Sequence, residues 1–398
     1  GGDRADVHGN VNINISAGTN GKVSKIYAGG KNSNVFGKAT VTFSGNGGLY
    51  NNFSGTVYGT GQKGYITGGS ELVFDDYSGE FKGSVQAFNT VTISGSSNVI
   101  FTKGQHKTMK GAQYVFVVEQ GHASPMLTWN KKVQYANITV KVATEDAVDV
   151  VLIQSKYFKK DADFSTDWIT VTNDEGETLS KHAYELIYNS AYEWQVNAKG
   201  KGKWVKVRDY GTVSISYKGT NATFNGEEEE RVVLSGADDK INVTGNLKGG
   251  LSTAGGDDFI ALHEGAKVSG GIDAGSGDDT LHVQKNVELN GVVSMGEGND
   301  KVYVEEAAKV TSNIELGAGA NELTVQKDAS VTGTVVLEDG SSNVIRVNGG
   351  AISSITGKAE SNEIHLNGTI TGGGIGYWTA LKAVTTVTGG YQITLPDG

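Results

Sequence analysis

Cysteine is absent and proline occurs only twice in 398 residues. The first absence removes disulfides, thiolate metal sites and cysteine nucleophiles together, so stability rests on packing, backbone ladders or ions. The second shows that the glycine excess, 58 residues or about double the usual share, marks tight turns and not a collagen-like or proline-rich linker. No run of about 18 apolar residues occurs, so no membrane-spanning helix is expected. The net charge of −10 disfavours nucleic acid and anionic membranes as partners, because both need clustered Lys and Arg. No G-x-S-x-G, Walker or HExxH pattern is present either.

What is abundant is strand and turn chemistry: Thr, Val, Ile, Ser, Asn and Gly. Aligning a Gly-rich turn followed by Asp or Asn places Asp239, Asp258, Asp279, Asp300, Asn321, Asn343 and Asn362 in one column, at spacings of 19, 21, 21, 21, 22 and 19. Two residues on stand Ile241, Ile260, Leu281, Val302, Leu323, Ile345 and Ile364, and two further on stand Val243, Leu262, Val283, Val304, Val325, Val347 and Leu366. A second arm keeps step, with Leu247, Val268, Leu289, Val310 and Val331, then Leu251, Ile272, Val293, Ile314 and Val335, each 21 apart. Alternation of period two within a repeat of 21 describes stacked coils of parallel strands, each burying its apolar face on the next. The fold class is therefore all-β, a parallel β-solenoid (β-helix) with rungs of about 21 residues and two or three strands per turn.

The chain divides into three parts in this reading. Residues 1–104 form an irregular β-helix, in which Ile13, Val41, Leu72 and Val91 recur at 28, 31 and 19 residues and the segment at Phe53–Gly59 matches that at Tyr77–Gly83. Residues 105–226 hold four of the five tryptophans and read as a small Trp-rich β or α+β module that interrupts the solenoid. Within it, Tyr184–Tyr188, Tyr192–Val196 and Lys203–Val207 read as an antiparallel meander, and a short helix is expected near Lys159–Trp168. Residues 227–398 form the regular solenoid. The charge is localised there: residues 235–368 hold 20 Asp and Glu against 9 Lys and Arg, which leaves 24 against 25 elsewhere.

The most specific motif is Gly275-Ser276-Gly277-Asp278-Asp279-Thr280-Leu281, with variants at Gly255-Gly256-Asp257-Asp258 and Gly296-Glu297-Gly298-Asn299-Asp300. It resembles the Gly-rich nonapeptide of RTX proteins, in which stacked turns share calcium ions. The resemblance implies Ca²⁺ held by Asp239, Asp257, Asp258, Asp278, Asp279 and Asp300, with binding ending where the column turns to Asn. One motif occurs per 21 residues instead of one per nine, so only one edge of the coil is lined in this way. Stacked at about 4.8 Å, such carboxylates would repel by roughly 3 kcal/mol per pair at an effective dielectric near 20, and a divalent cation reverses that sign. The alternative is that each Asp caps its own turn and points partly into water.

Gly-Asp turns alternating with a V-x-G-x-I arm are also similar in style to passenger regions of bacterial autotransporters and large surface adhesins. That likeness implies display outside the cell or at a bacterial cell surface. A cysteine-free chain that opens Gly1-Gly2-Asp3 without Met reads as an exported, processed or excised segment. The expected function is non-enzymatic: an adhesin-like passenger or structural rod with a host or cell-surface glycan or protein as partner. A self-assembling subunit of an extracellular filament or surface layer, stacking head to tail on itself, is the alternative. A β-helix carbohydrate-active enzyme is disfavoured, because regular coils lack the unequal loops that shape a catalytic groove. His282 and His365 read as solvent-facing strand residues without metal-ligand spacing. The outward column Asn242, Ala261, His282, Tyr303, Thr324, Arg346 and His365 lacks the uniform row of a lattice binder. For the aromatics Tyr157, Phe158, Trp168, Trp194 and Trp204, core packing is the expectation and a glycan-stacking surface the alternative.

Overall fold

The computed structural model describes residues 5–16, 23–45, 53–101, 112–129, 137–144, 146–160, 163–338, 341–357 and 361–370. It is all-β, with a 3-10 turn at Thr166–Trp168 inside the stretch where a short helix is expected. The chain forms two compact units, residues 1–144 with 148–178 and 185–216, and residues 145–147 with 179–184 and 217–398.

The second unit is the regular coil. Each turn contributes three strands, as in Phe259–Leu262, Lys267–Val268 and Ile272–Asp273, and each strand pairs in parallel with its counterpart one coil later. The register follows the sequence columns: Ile241 pairs with Ile260, Leu281, Val302, Leu323, Ile345 and Ile364 in succession, all buried. The outward column stacks in the same way from Asn242 to His365. Three strands, and not two, meet because the small residues between the second and third arms stand at a corner. There a Cβ on Gly291 would fall 1.8 Å from the Gly270 carbonyl oxygen of the coil before.

In the first unit, parallel pairing runs through Val11–Ser16, Ala39–Ser44, Ser70–Asp75, Thr90–Ser94, Gln113–Val118, Asn137–Val142 and Ile169–Thr172. Ile13, Val41, Leu72 and Val91 stack directly, so the irregular spacing is absorbed entirely between strands. Three strands of the Trp-rich segment extend this ladder, because Tyr114-x-Phe116-x-Val118 and Ile138-x-Val140-x-Val142 keep its alternation. A second row runs through Ser78–Phe81, Asn98–Phe101, Leu127–Trp129 and Val148–Ser155, again in parallel. Between the rows lies an aromatic core of Phe43, Phe53, Phe74, Tyr77, Phe81 and Phe101, with ring centroids 5.1–6.3 Å apart.

Two sequence matches shift. Phe53 stacks on Phe81 and not on Tyr77, because Thr56-Val57-Tyr58 pairs with Ser84-Val85-Gln86. The true repeat is therefore F-x-G-[Thr/Ser]-Val. Of the expected meander, Tyr192–Val196 and Gly202–Lys206 form an antiparallel hairpin, whereas Tyr184–Asn189 joins a different sheet beside Gly211–Tyr217.

Close coil stacking makes one glycine column irreplaceable. Gly256, Gly277, Gly298 and Gly319 have φ between +91° and +136°, and a Cβ on Gly298 would lie 1.9 Å from the Gly277 carbonyl oxygen. At another corner Gly265, Asn286, Ala307 and Asp328 share positive φ, and a Cβ on Gly265 meets nothing within 4 Å. Gly265→Ala is therefore expected to cost no more than about 1–2 kcal/mol, the left-handed penalty that Ala307 already bears. Gly298→Ala should lose several-fold more, since neighbouring coils must separate. Thermal melts of the two variants check this, and equal losses would contradict the stacking geometry.

Candidate functional site

At the Gly-Asp corner a parallel ladder must turn without losing hydrogen-bond acceptors. The chain does so with alternating amides. Glu297 N donates back to Gly275 O (2.9 Å) and Gly298 N donates forward to Ala318 O (3.2 Å). At the next two residues the acceptors are side chains: Asn299 N donates back to Asp278 Oδ1 (2.8 Å) and Asp300 N forward to Asn321 Oδ1 (2.8 Å). Lys301 N then returns to the backbone at Asp279 O (2.8 Å).

Repeated coil after coil, this builds two side-chain ladders of opposite direction. The inner ladder runs forward from Asp239 N to Asp258 Oδ1 (2.7 Å), Asp258 N to Asp279 Oδ1 (2.8 Å), and Asp279 N to Asp300 Oδ1 (2.9 Å). The outer ladder runs backward, from Asp257 N to Asp238 Oδ1 and from Asp278 N to Asp257 Oδ1, both 2.9 Å. All six expected metal ligands thus stand at the corner, but in two unlike settings. Asp257 and Asp278 are exposed, whereas Asp239, Asp258, Asp279 and Asp300 are at most 2 % exposed. The turn-capping alternative is corrected too: the inner Asp residues accept a backbone amide from the preceding coil and not from their own turn, and they do not face water. Adjacent residues of an extended chain point to opposite sides, which puts one Asp of each pair inside.

The inner carboxylates are left half-satisfied. Oδ2 of Asp239, Asp258, Asp279 and Asp300 is buried without a hydrogen-bond partner. Burial, the largest cause at each, pushes the acid pKa up to about 7 at Asp239, about 9 at Asp258, about 7 at Asp279 and about 6 at Asp300, against the lowering effect of the Thr253 hydroxyl at Asp258 and of the accepted backbone amide at all four. Asn321 explains what the orphan oxygen lacks. It accepts the same amide with Oδ1, and its Nδ2 donates to the Gly317 carbonyl four residues earlier (3.3 Å). A carboxylate has no proton to offer there, while a protonated Asp has one. The change from Asp to Asn along the column therefore replaces a titratable donor with a permanent one.

Neither ladder gathers a ligand cage. Among the described residues no group of three His, Cys, Asp or Glu is placed to hold a metal ion. His282 and His365 lie on strand surfaces against Glu305 and Glu363, both at 2.6 Å. An open cleft of about 250 Å³ borders the outer ladder, with Asp278, Lys301, Glu322 and Ser342 in its lining.

Core packing holds for only part of the aromatic set. Phe158 is buried and Trp168 half-buried, but Tyr157, Trp194 and Trp204 are exposed, the two indoles by 55 % and 39 %. Trp194 and Trp204 face each other across the hairpin, with centroids 5.5 Å apart at 64°. Both indoles stay exposed even though Lys159 and Lys160 lie over the Tyr192 and Trp204 rings, and the sequence carried a signal for that. Lys203 and Lys206 have opposite parity on one strand, so a charge stands on each face, which disfavours deep burial of either.

A raised carboxyl pKa means that the folded state binds more protons than the unfolded one between the unperturbed value near 4 and the folded value. This contribution to stability is complete below pH 4 and is lost as pH rises to about 9. The melting temperature should therefore fall between pH 5 and pH 9. Asp258→Asn should flatten that slope and raise stability at pH 9 by about 1–3 kcal/mol, the cost of one unsatisfied buried polar group. A wild-type melting temperature that climbs over this range, or an Asp258→Asn variant weaker at pH 9, would refute the protonated ladder.

Comparison with known proteins gives no match: no family model fits the chain, and no curated protein and no solved structure matches it.

Proposed function

We propose that this chain is a non-enzymatic bacterial surface protein, an adhesin-like passenger or structural rod exposed outside the cell. The observation that carries this reading is the division of labour in the sequence. The coils devote their inward positions to apolar columns and their corners to backbone satisfaction, while the mixed outward column repeats no chemistry from coil to coil. Each added coil contributes about 4.8 Å of length and little else. Recognition falls instead to the hairpin Tyr192–Val196/Gly202–Lys206, whose indoles stand in water.

A self-assembling filament or surface-layer subunit is the second reading, favoured by the strand Val11–Ser16. Its Val11, Ile13 and Ile15 are only half-buried, while Ala39, Val41 and Phe43 opposite them are fully buried. No described strand pairs on its other side. An open parallel edge of this kind accepts a further strand, including one from another copy. Immunogold labelling of intact source cells with negative staining decides between the two. Label scattered over the envelope is expected for a displayed passenger, label along continuous fibres would replace it with the filament, and label found only after lysis would dismiss both.

Calcium is the other way to satisfy the orphaned Oδ2 atoms of the inner ladder, as the RTX-like turns imply. Asp239, Asp258, Asp279 and Asp300 supply hard oxygen, and turn carbonyls would have to complete the six to eight ligands that the ion takes. A bound cation would also hold these groups ionised, in competition with the proton. With calcium in place, EGTA at pH 8 should lower the melting temperature by several degrees. An unchanged melt, with no calcium in elemental analysis, would leave the proton as the only occupant.

A further inference from the structure

We propose that the hairpin Tyr192–Val196/Gly202–Lys206 is a docking surface for an acidic polysaccharide, carboxylated or sulfated, recognised by stacking on Trp194 and Trp204 and by the surrounding lysines. This deepens the adhesive reading above by naming the chemistry of the partner.

The surface is built and not merely exposed. Tyr192, Trp194 and Val196 pair with Lys206, Trp204 and Gly202, so these six side-chain positions share one face. A Cβ on Gly202 would lie 2.2 Å from Cζ2 of Trp194, which means that the indole rests on the glycine backbone while it remains exposed. The connecting loop is pinned by Asn197, whose Oδ1 accepts the amides of Lys199 (3.0 Å) and Lys201 (3.1 Å). Arg208 fixes the base of the hairpin by donating from Nη1 to the Ser190 carbonyl (2.7 Å).

Charge complementarity identifies the partner. The chain carries −10 overall, yet residues 192–208 hold four Lys and one Arg against a single Glu. Lys206 and Arg208 are engaged by Asp209 and Glu193. Lys199 and Lys201 of the connecting loop are exposed, and neither joins an ion pair among the described residues; Lys203, also exposed, stands on the opposite face of the strand. Two more ammonium groups lie over the rings themselves, Lys159 at 5.7 Å from the Tyr192 centroid and Lys160 at 5.9 Å from that of Trp204. A ligand here meets aromatic carbon and positive charge at the same point. A sugar ring with an anionic substituent presents C–H groups and negative charge with that same closeness.

Other occupants fit less well. Insertion into a lipid surface would carry the ammonium groups of Lys159 and Lys160 into the apolar layer with the rings they cover. A nucleic-acid strand stacks flat bases on successive ring faces, whereas these indoles stand at 64° and offer one face beside one edge. A puckered sugar suits that corner better than a planar base.

Affinity electrophoresis of the full chain tests the proposal, with polygalacturonate and dextran sulfate as the carboxylated and sulfated probes and neutral dextran as the control. Phosphatidylglycerol/phosphatidylcholine vesicles and a thymidine oligonucleotide provide the competing arms. Retardation by one or both acidic polymers and none by dextran is expected, and the stronger polymer tells carboxylate from sulfate. Trp194→Ala/Trp204→Ala and Lys160→Glu/Lys199→Glu/Lys201→Glu should each weaken it at least tenfold without changing the melting temperature. The lysine variant decides alone if the indole variant unfolds. Binding that survives the lysine variant, tighter binding of vesicles or oligonucleotide, or no binding of either acidic polymer would overturn the proposal. None of these results bears on surface display, which the cell labelling decides separately.

Discussion

A parallel ladder that turns a corner runs short of carbonyl acceptors, and the second unit of this protein meets that shortage with Oδ1 atoms. An unpaired buried amide costs on the order of 1–3 kcal/mol, and the shortage recurs at every coil. The remedy is one side-chain acceptor pointing forward and one pointing back, as in Asp279 N to Asp300 Oδ1 and Asp278 N to Asp257 Oδ1. Each bond joins two neighbouring coils, so the corner is held by the same links that hold the strands. The glycines follow from this. Coils close enough for an Oδ1 to reach the next amide leave no room for a Cβ at Gly277 or Gly298.

That solution brings an electrostatic liability with it. A carboxylate is a good acceptor, but it carries a second oxygen and a charge into the interior, where both are costly. Four such groups in successive coils reinforce one another, as the Asp300 charge does at Asp279. Asn removes the charge at Asn321, Asn343 and Asn362, and it keeps the amide contact at two of the three, since Asp300 N finds Asn321 Oδ1 and Asn343 N finds Asn362 Oδ1, whereas Asn343 Oδ1 is buried without a partner. The column is thus titratable at one end and inert at the other, with the backbone ladder unchanged across the junction. Proton and cation are the two species that can neutralise the Asp part.

The first unit meets the same stacking requirement with aromatic volume instead of corner carboxylates. Its strands recur at unequal intervals, yet Phe43, Phe74 and Phe101 stay in one ring cluster because the loops take up the difference. The hairpin departs from that economy by leaving Trp194 in water. Large aromatics are normally the first side chains a fold buries. Basic residues on both faces of Gly202–Lys206 disfavour a sheet closing over it.

Local pattern was enough to specify the coil. Apolar alternation within 21 residues places Ile260 on Leu281 and Val302 whatever else the chain does, because a slip of one residue would expose the whole column. The same pattern located all six corner Asp residues, and even the irregular stack of Ile13, Val41, Leu72 and Val91 was visible in it. Tertiary structure alone decided what depends on distance between coils: three strands per turn, the pairing of Phe53 with Phe81, and the strands at 113–172 as members of the first ladder. It also decided which Asp of each pair is buried and that its bond runs to the neighbouring coil. Residue type says that Asp caps turns; only the stacking says whose amide it caps. For Trp194 and Trp204, composition points inward, and only the tertiary structure shows them paired across a hairpin and exposed.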